Sequence, residues 1–189
     1  MNLAQRTAVT GCLLAALLGA GACDGGTAAP PTGAPAPAAP SLFGGTDRAW
    51  VEINIAMNEE LSPLLELVAT HSSNAATKAL AAEVAAANDQ ELSALRGLHD
   101  QAGLPSENPH KGMPMPGMVT PEQVTLAAAT KGAAFDALLA GHLKAHFEQG
   151  VKLAESEVKS GVEPQTKTLA AQAISSRKRY LPRLVATLS

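Results

Sequence analysis

The eight residues TKALAAEV, Thr77 to Val84, return as TKTLAAQA at Thr166 to Ala173. Sliding the chain along itself by the same offset sets Asp47 on Asp136, Glu59 on Glu148, Leu64 on Leu153, Leu92 on Leu181 and Leu95 on Leu184. A segment written twice should fold twice. Within the first copy Trp50, Ile53, Met57, Leu61, Leu64 and Val68 recur at threes and fours, followed by Leu80, Val84, Leu92, Leu95 and Leu98. That is the period of an α-helix buried along one stripe, and the sustained β-branched alternation of a strand is missing. Each copy therefore reads as a helical hairpin with one apolar face. Two such faces are buried by packing on each other, which gives an all-α four-helix bundle of two repeated hairpins.

The punctuation agrees. Ser73-Asn74 offers a turn and cap, and Gly103-Leu104-Pro105 stops the second helix. In TPEQ, Thr120 is placed as N-cap, Pro121 at the first helical position and Gln123 three residues on. A break is expected at Lys131-Gly132. The third helix carries Phe135, Leu139, His142, His146 and Leu153 on one face, and Gly161 closes it. Pro164 opens the fourth, which runs through Leu169, Ile174 and Leu181, with Pro182 expected to kink or fray its last turns. Asp89, Glu91, Glu155 and Glu157 are assigned to solvated faces. So is the basic run SSRKRYLPR, Ser175 to Arg183, with anionic lipid headgroups as its alternative partner.

Upstream of the repeat the grammar changes. Arg6 precedes an apolar run, Thr10 to Ala20, too short to span a bilayer comfortably. Gly21-Ala22-Cys23 follows, which fits a signal peptide over residues 1–22. A cysteine directly after Gly-Ala resembles a bacterial lipobox, although Ala20 stands where leucine is usual. Cleavage there would make Cys23 a lipid-bearing N-terminus; the alternative is a secreted protein cleaved near Ala22. Residues 24–46 are Pro, Ala and Gly with little that can be buried, so residues 23–46 read as a lipidated cysteine on a tether. Residues 47–189 remain for the bundle. Cys12 and Cys23 are the two cysteines of the chain, so the mature domain has no thiol, disulfide or cysteine-based metal site. A net charge of −3 carries no nucleic-acid footprint. The expected partner is the membrane, through the anchor.

The stretch GMVTPEQVTLAAATKGAAFDALLAGHLKAHFEQGVKLAESEVKSG, Gly117 to Gly161, resembles the bacterial family known as domain of unknown function 305. Its second half typically reads Phe-Asp, then Ala-His-His-Glu. Phe135-Asp136, Ala145-His146 and Glu148 match, whereas Phe147 stands in place of the second histidine. In the first half, Met57-Asn58 stands where the family carries two histidines. The resemblance implies a ferritin-like form of the bundle, an extracytoplasmic address and metal handling.

Two sets of residues could supply that chemistry. His142 and His146, four apart on one helix face, can share a metal ion, and a pseudo-two-fold bundle points Met57 toward His146. The other set is HKGMPMPGM, where His110, Met113, Met115 and Met118 offer soft donors suited to Cu(I). The plainer readings are a satisfied core histidine and adaptable apolar filler packed on the bundle ends. A di-iron centre needs Glu-x-x-His motifs on two helices; the chain carries the pattern once, at Glu107 to His110, beyond the Gly103-Leu104-Pro105 stop, and no catalytic triad or phosphate loop is present. The sequence thus supports a non-enzymatic extracytoplasmic lipoprotein domain, either binding a soft metal such as copper or serving as a structural or protein-interaction bundle at the envelope.

Overall fold

In a computed structural model, residues 42–187 are described, with side chains to Leu184. The signal peptide, Cys23 and the tether lie outside the described residues. Five helices account for the regular structure: α1 (Gly45–His71), α2 (Ala75–Ala102), α3 (Pro121–Ala128), α4 (Ala133–Ser160) and α5 (Pro164–Thr187). Under the repeat offset α1 falls on α4 and α2 on α5, so the duplication is carried into the fold in register. α1 packs on α2 and α4, and α5 on α4 and α2, closing a four-helix bundle in which neighbours run antiparallel.

Local chemistry explains the ends. Asn74 Oδ1 accepts N–H groups of Ala76 and Thr77 at 2.8 and 3.2 Å, capping α2. The repeat sets Glu163 on the same position of α5. Its carboxylate accepts from the N–H groups of Gln165 and Thr166 and from the Thr166 hydroxyl. One structural task is thus done by an amide in one half and a carboxylate in the other. Gly103 ends α2 in the left-handed conformation, φ +60°.

The expected break falls at Gly132, whose N–H donates to the His71 carbonyl at 2.8 Å, and it leaves α3 as a fifth, short helix among the described residues. α5 continues through Pro182 to Thr187. Pro63 likewise sits within α1. Both prolines lie on exposed faces, where a carbonyl that loses its intrahelical donor can be solvated.

The crossover between the hairpins, residues 103–132, has a length problem to solve. α2 ends beside the start of α1, where Arg48 donates to the Ala102 carbonyl. α4 begins beside the end of α1. The crossover must therefore travel the length of α1, about 40 Å at 1.5 Å per residue. It runs along α1 and is fixed as it goes. Asn108 Nδ2 donates to the Glu52 carbonyl at 2.8 Å, Gly112 N–H to Glu60 Oε1 at 2.5 Å, and α3 packs on α1 and α4. Met115 to Met118 thus lie on the long flank of the bundle, not on its ends.

Replacing Asn74 with alanine should lower unfolding stability by about 1 kcal/mol in urea denaturation, with the helical fold retained.

Candidate metal centre beneath the crossover

The quoted methionine stretch is two β-turns in tandem. Met113 N–H donates to the His110 carbonyl and Met118 N–H to the Met115 carbonyl, each at 3.1 Å. Gly112 and Gly117 hold the third position of each turn at φ +72° and +79°, the conformation a type II turn requires. Pro116 presets the second position of the latter. A four-residue turn brings its ends together, so Met115 is paired with Met118, and His110 with Met113. No side chain is tolerated at Gly117. A Cβ there would lie 2.7 Å from Gln149 Cβ and 2.8 Å from the Ala145 carbonyl, so the turn sits directly against α4.

The second turn lays its methionines on the bundle. Met57, fully buried on α1, packs with Met118, and the half-buried Met115 joins them along with Ala56, Ile53 and Leu153. His146 meets the same turn from α4. Its ring, 2 % exposed, hydrogen-bonds the Gly117 backbone, while Nδ1 has no hydrogen-bond partner. Burial and then the nearby Arg177 cation push its pKa down to about 4, only partly offset by Glu91 and Gly117. The imidazole is therefore neutral at physiological pH, with a free nitrogen. The two residue sets proposed from sequence thus merge in part: Met57, Met115, Met118 and His146 converge on residues 115–118 of the crossover.

The remaining candidates fall outside. Met113 is 44 % exposed, and His110 is half-buried in the first turn. His142 was expected to face inward like His146. It lies instead at the rim, half-buried, with burial lowering its pKa. The cause is helical geometry: four residues advance 400°, so a stripe centred on Leu143 and His146 leaves His142 at its edge.

Beside His146 the bundle holds a polar network. Arg177, 3 % exposed, grips Glu91 through both terminal nitrogens at 2.8 and 2.9 Å. Asn58 donates to Glu91 at 3.1 Å, and Asn88 to the Asn58 carbonyl at 3.1 Å. Burial opposes the charge on Glu91, but Arg177 and Asn58 outweigh it and hold the carboxyl below its ordinary pKa. Gly150 makes the room, since a Cβ there would strike Arg177 Nε and lie 2.9 Å from its Cδ. Glu91 and Arg177 therefore do not belong to solvated faces, as assigned from residue type. The same holds for Glu157, which is wholly buried. The signal was present. Val84, Asn88, Glu91 and Leu95 are spaced four, three and four apart, as are their repeat mates Ala173, Arg177, Tyr180 and Leu184. Within the basic run, Lys178 pairs with Glu155 and Arg183 with Glu83.

This arrangement constrains chemistry. Among the described residues no group of three or more His, Cys, Asp or Glu is placed to share a metal ion. The hard-ligand set of a di-iron or zinc centre is not assembled there. What borders the second turn is three thioethers packed together and, from α4, one neutral imidazole. Arg177 adds positive charge nearby, which penalises a divalent ion more than a monovalent one.

The family model for domain of unknown function 305 (DUF305) matches residues 62–188. Among solved structures, the fold is similar to a DUF305 protein of Streptomyces coelicolor assigned as secreted, with 19 % identity, a TM-score of 0.67 and coverage of 75 % of this chain and 90 % of that one. It is also similar to a DUF305 fragment from Deinococcus radiodurans, with 12 % identity, a TM-score of 0.69 and coverage of 77 % and 97 %. No curated protein matches the chain. At these identities the likeness establishes the fold alone.

Glu91→Ala should destabilise the bundle by about 3–5 kcal/mol, because it leaves the Arg177 cation buried and unpaired. Joint replacement Glu91→Leu with Arg177→Met should cost markedly less. Urea denaturation of the two variants measures the difference.

Proposed function

The chain belongs to the DUF305 family, and on that footing we propose that it is an extracytoplasmic lipoprotein domain that binds copper as Cu(I) through Met57, Met115, Met118 and His146. The observation that carries this reading is the turn at Met115 to Met118, which sets two thioethers on the buried Met57 beside an imidazole with an unpartnered nitrogen. A single thioether is a weak ligand, so convergence is what makes the set useful. An envelope domain without thiols would rely on thioether sulfur as its soft donor. His142 at the rim, and His110 with Met113 on the exposed first turn, would then be outer donors on the way in. Copper would here be cargo or a bound effector.

Cys23 would hold the domain at the membrane. No helix of the described residues is long and apolar enough to cross a bilayer, and one structural relative is assigned as secreted. Both are compatible with a lipid anchor as the means of retention.

The competing reading is a structural or protein-interaction bundle whose methionines are filler. It is favoured by the burial of Met57 and Met118 in ordinary apolar contact. Leucine at positions 57, 115 and 118 nearly preserves volume, which separates the two. Competition with a chromogenic Cu(I) chelator should show affinity falling at least about tenfold, roughly 1.4 kcal/mol, in the triple leucine variant. Met113→Leu should have little effect. Absence of Cu(I) binding in the parent protein, or undiminished affinity in the triple variant, would leave the interaction reading in place. Separately, Cys23→Ser should move the protein from the membrane to the soluble envelope fraction; unchanged fractionation would exclude the anchor.

A further inference from the structure

At the end of the bundle where α1 begins, three carboxyl groups outside the methionine site crowd together. Asp47, in the first turn of α1, accepts the N–H of Gly44 at 2.6 Å and those of Val162 and Glu163 at 3.0 Å each. Glu163 in turn caps α5. Glu157, in the last turn of α4, is 0 % exposed, and no N–H or hydroxyl donor reaches either of its carboxyl oxygens. The Asp47 carboxylate lies beside it. Gly161 leaves room for this contact: a Cβ there would collide with the Glu157 carboxyl and lie 2.8 Å from Asp47 Oδ1. The repeat sets Glu157 on Val68, which is buried as ordinary core. An apolar side chain thus satisfies packing at this position in one half. A carboxyl in the other half adds something that packing does not require.

We propose that Glu157 and Asp47 share a proton, forming a carboxyl–carboxylate latch that ties the first turn of α1 to the α4–α5 turn, and that loss of this proton opens the latch. With Glu157 protonated, its O–H donates to Asp47, and Asp47 keeps its three backbone donors. With both ionised, two anions are held in dry contact. The charged groups acting on Glu157 are Asp47 from α1, Glu163 from the α4–α5 turn and Lys167 from α5. Two anions against one cation offer the ionised form no net relief. Arg48, next to Asp47, carries its guanidinium to the Ala102 carbonyl on α2.

The titration has a definite sign. Burial, followed by the hydrogen bond and charge of Asp47, pushes the Glu157 carboxyl up from 4.5 to about 8, with Lys167 a partial offset. Burial also works to raise Asp47, but the Glu163 N–H, the Glu157 carboxyl and the N–H groups of Gly44 and Val162 outweigh it and hold Asp47 below 3.8. The folded state therefore binds the Glu157 proton more tightly than the unfolded chain. Its stabilising contribution is complete below about pH 4.5 and drains away as pH rises through about 8. The Asp47 contribution is present above 3.8 and is lost in acid. The latch is strongest between these limits. It fixes the start of α1, since Gly44 is one of the groups it holds.

The test uses the full chain and its Glu157→Gln variant, whose amide can donate to Asp47 without titrating. Amide hydrogen exchange at Gly44, Val162 and Glu163 is followed from about pH 5 to about pH 9.5. In the parent, protection relative to the intrinsic exchange rate should fall at least about tenfold as Glu157 ionises, while central α1 and α4 amides hold theirs. In the variant, protection at all three amides should stay constant. Carboxyl carbon NMR of the parent should place the Glu157 midpoint near 8. Equal loss of protection in parent and variant would overturn the latch. So would a Glu157 midpoint near the ordinary 4.5, and this measurement decides the matter even if the variant folds poorly.

Discussion

The antiparallel packing of α1 against α4 is the constraint from which the rest follows. Two hairpins can pack in register only if the chain returns the length of the bundle between them. The crossover must then run along an outer flank and be held there. Polar contacts from Asn108 and Gly112 to α1 do so first, two glycine turns follow, and the Thr120 cap launches α3. The methionine turn is thus a fastener in the first instance. It also lays Met115 and Met118 over Met57, so the strap is held by apolar contact as well as by hydrogen bonds.

Much of this was legible in the residues. The repeat identified the hairpins, the apolar stripes identified their inner faces, and Asn74, Gly103, Thr120 and Gly132 fell where helix ends were expected. The polar interior was not. Glu91, Arg177 and Glu157 each stood at stripe spacing, yet residue type argued for solvent and was allowed to win. Burial of a charged group depends on a partner that is remote in sequence: Arg177 lies 86 residues from Glu91. Periodicity reports which face a residue occupies and cannot report what waits there. The glycines at 150 and 161 were silent for the same reason, since each is small to suit a side chain elsewhere.

Divergence between the halves has a pattern. At the level of His146 the repeat sets Met57 on His146, Asn58 on Phe147, Asn88 on Arg177 and Glu91 on Tyr180. Where one half supplies an amide or carboxylate, the other supplies a ring or the guanidinium that uses it. Phe147 and Tyr180 stack at 5.7 Å, while Asn58 donates to Glu91 and Asn88 to the Asn58 carbonyl. A symmetric ancestor of this layer would face like groups across the axis. Complementary replacement lets a charged pair be buried in a two-pronged contact, which fixes how the hairpins seat against one another.

The hydrogen bonds that hold the crossover to α1 join residues 52 to 61 positions apart, whereas Asp47 reaches Val162 and Glu163 across 115 and 116. Closing a longer loop costs more chain entropy. The first hairpin and its strap can therefore form from the N-terminal part of the chain alone, and contacts between the beginning of α1 and the α4–α5 turn have to wait for nearly all of it. The meeting of the first turn of α1 with the α4–α5 turn would then be the last part of the bundle to be secured, although α1 itself is the first helix the chain contains.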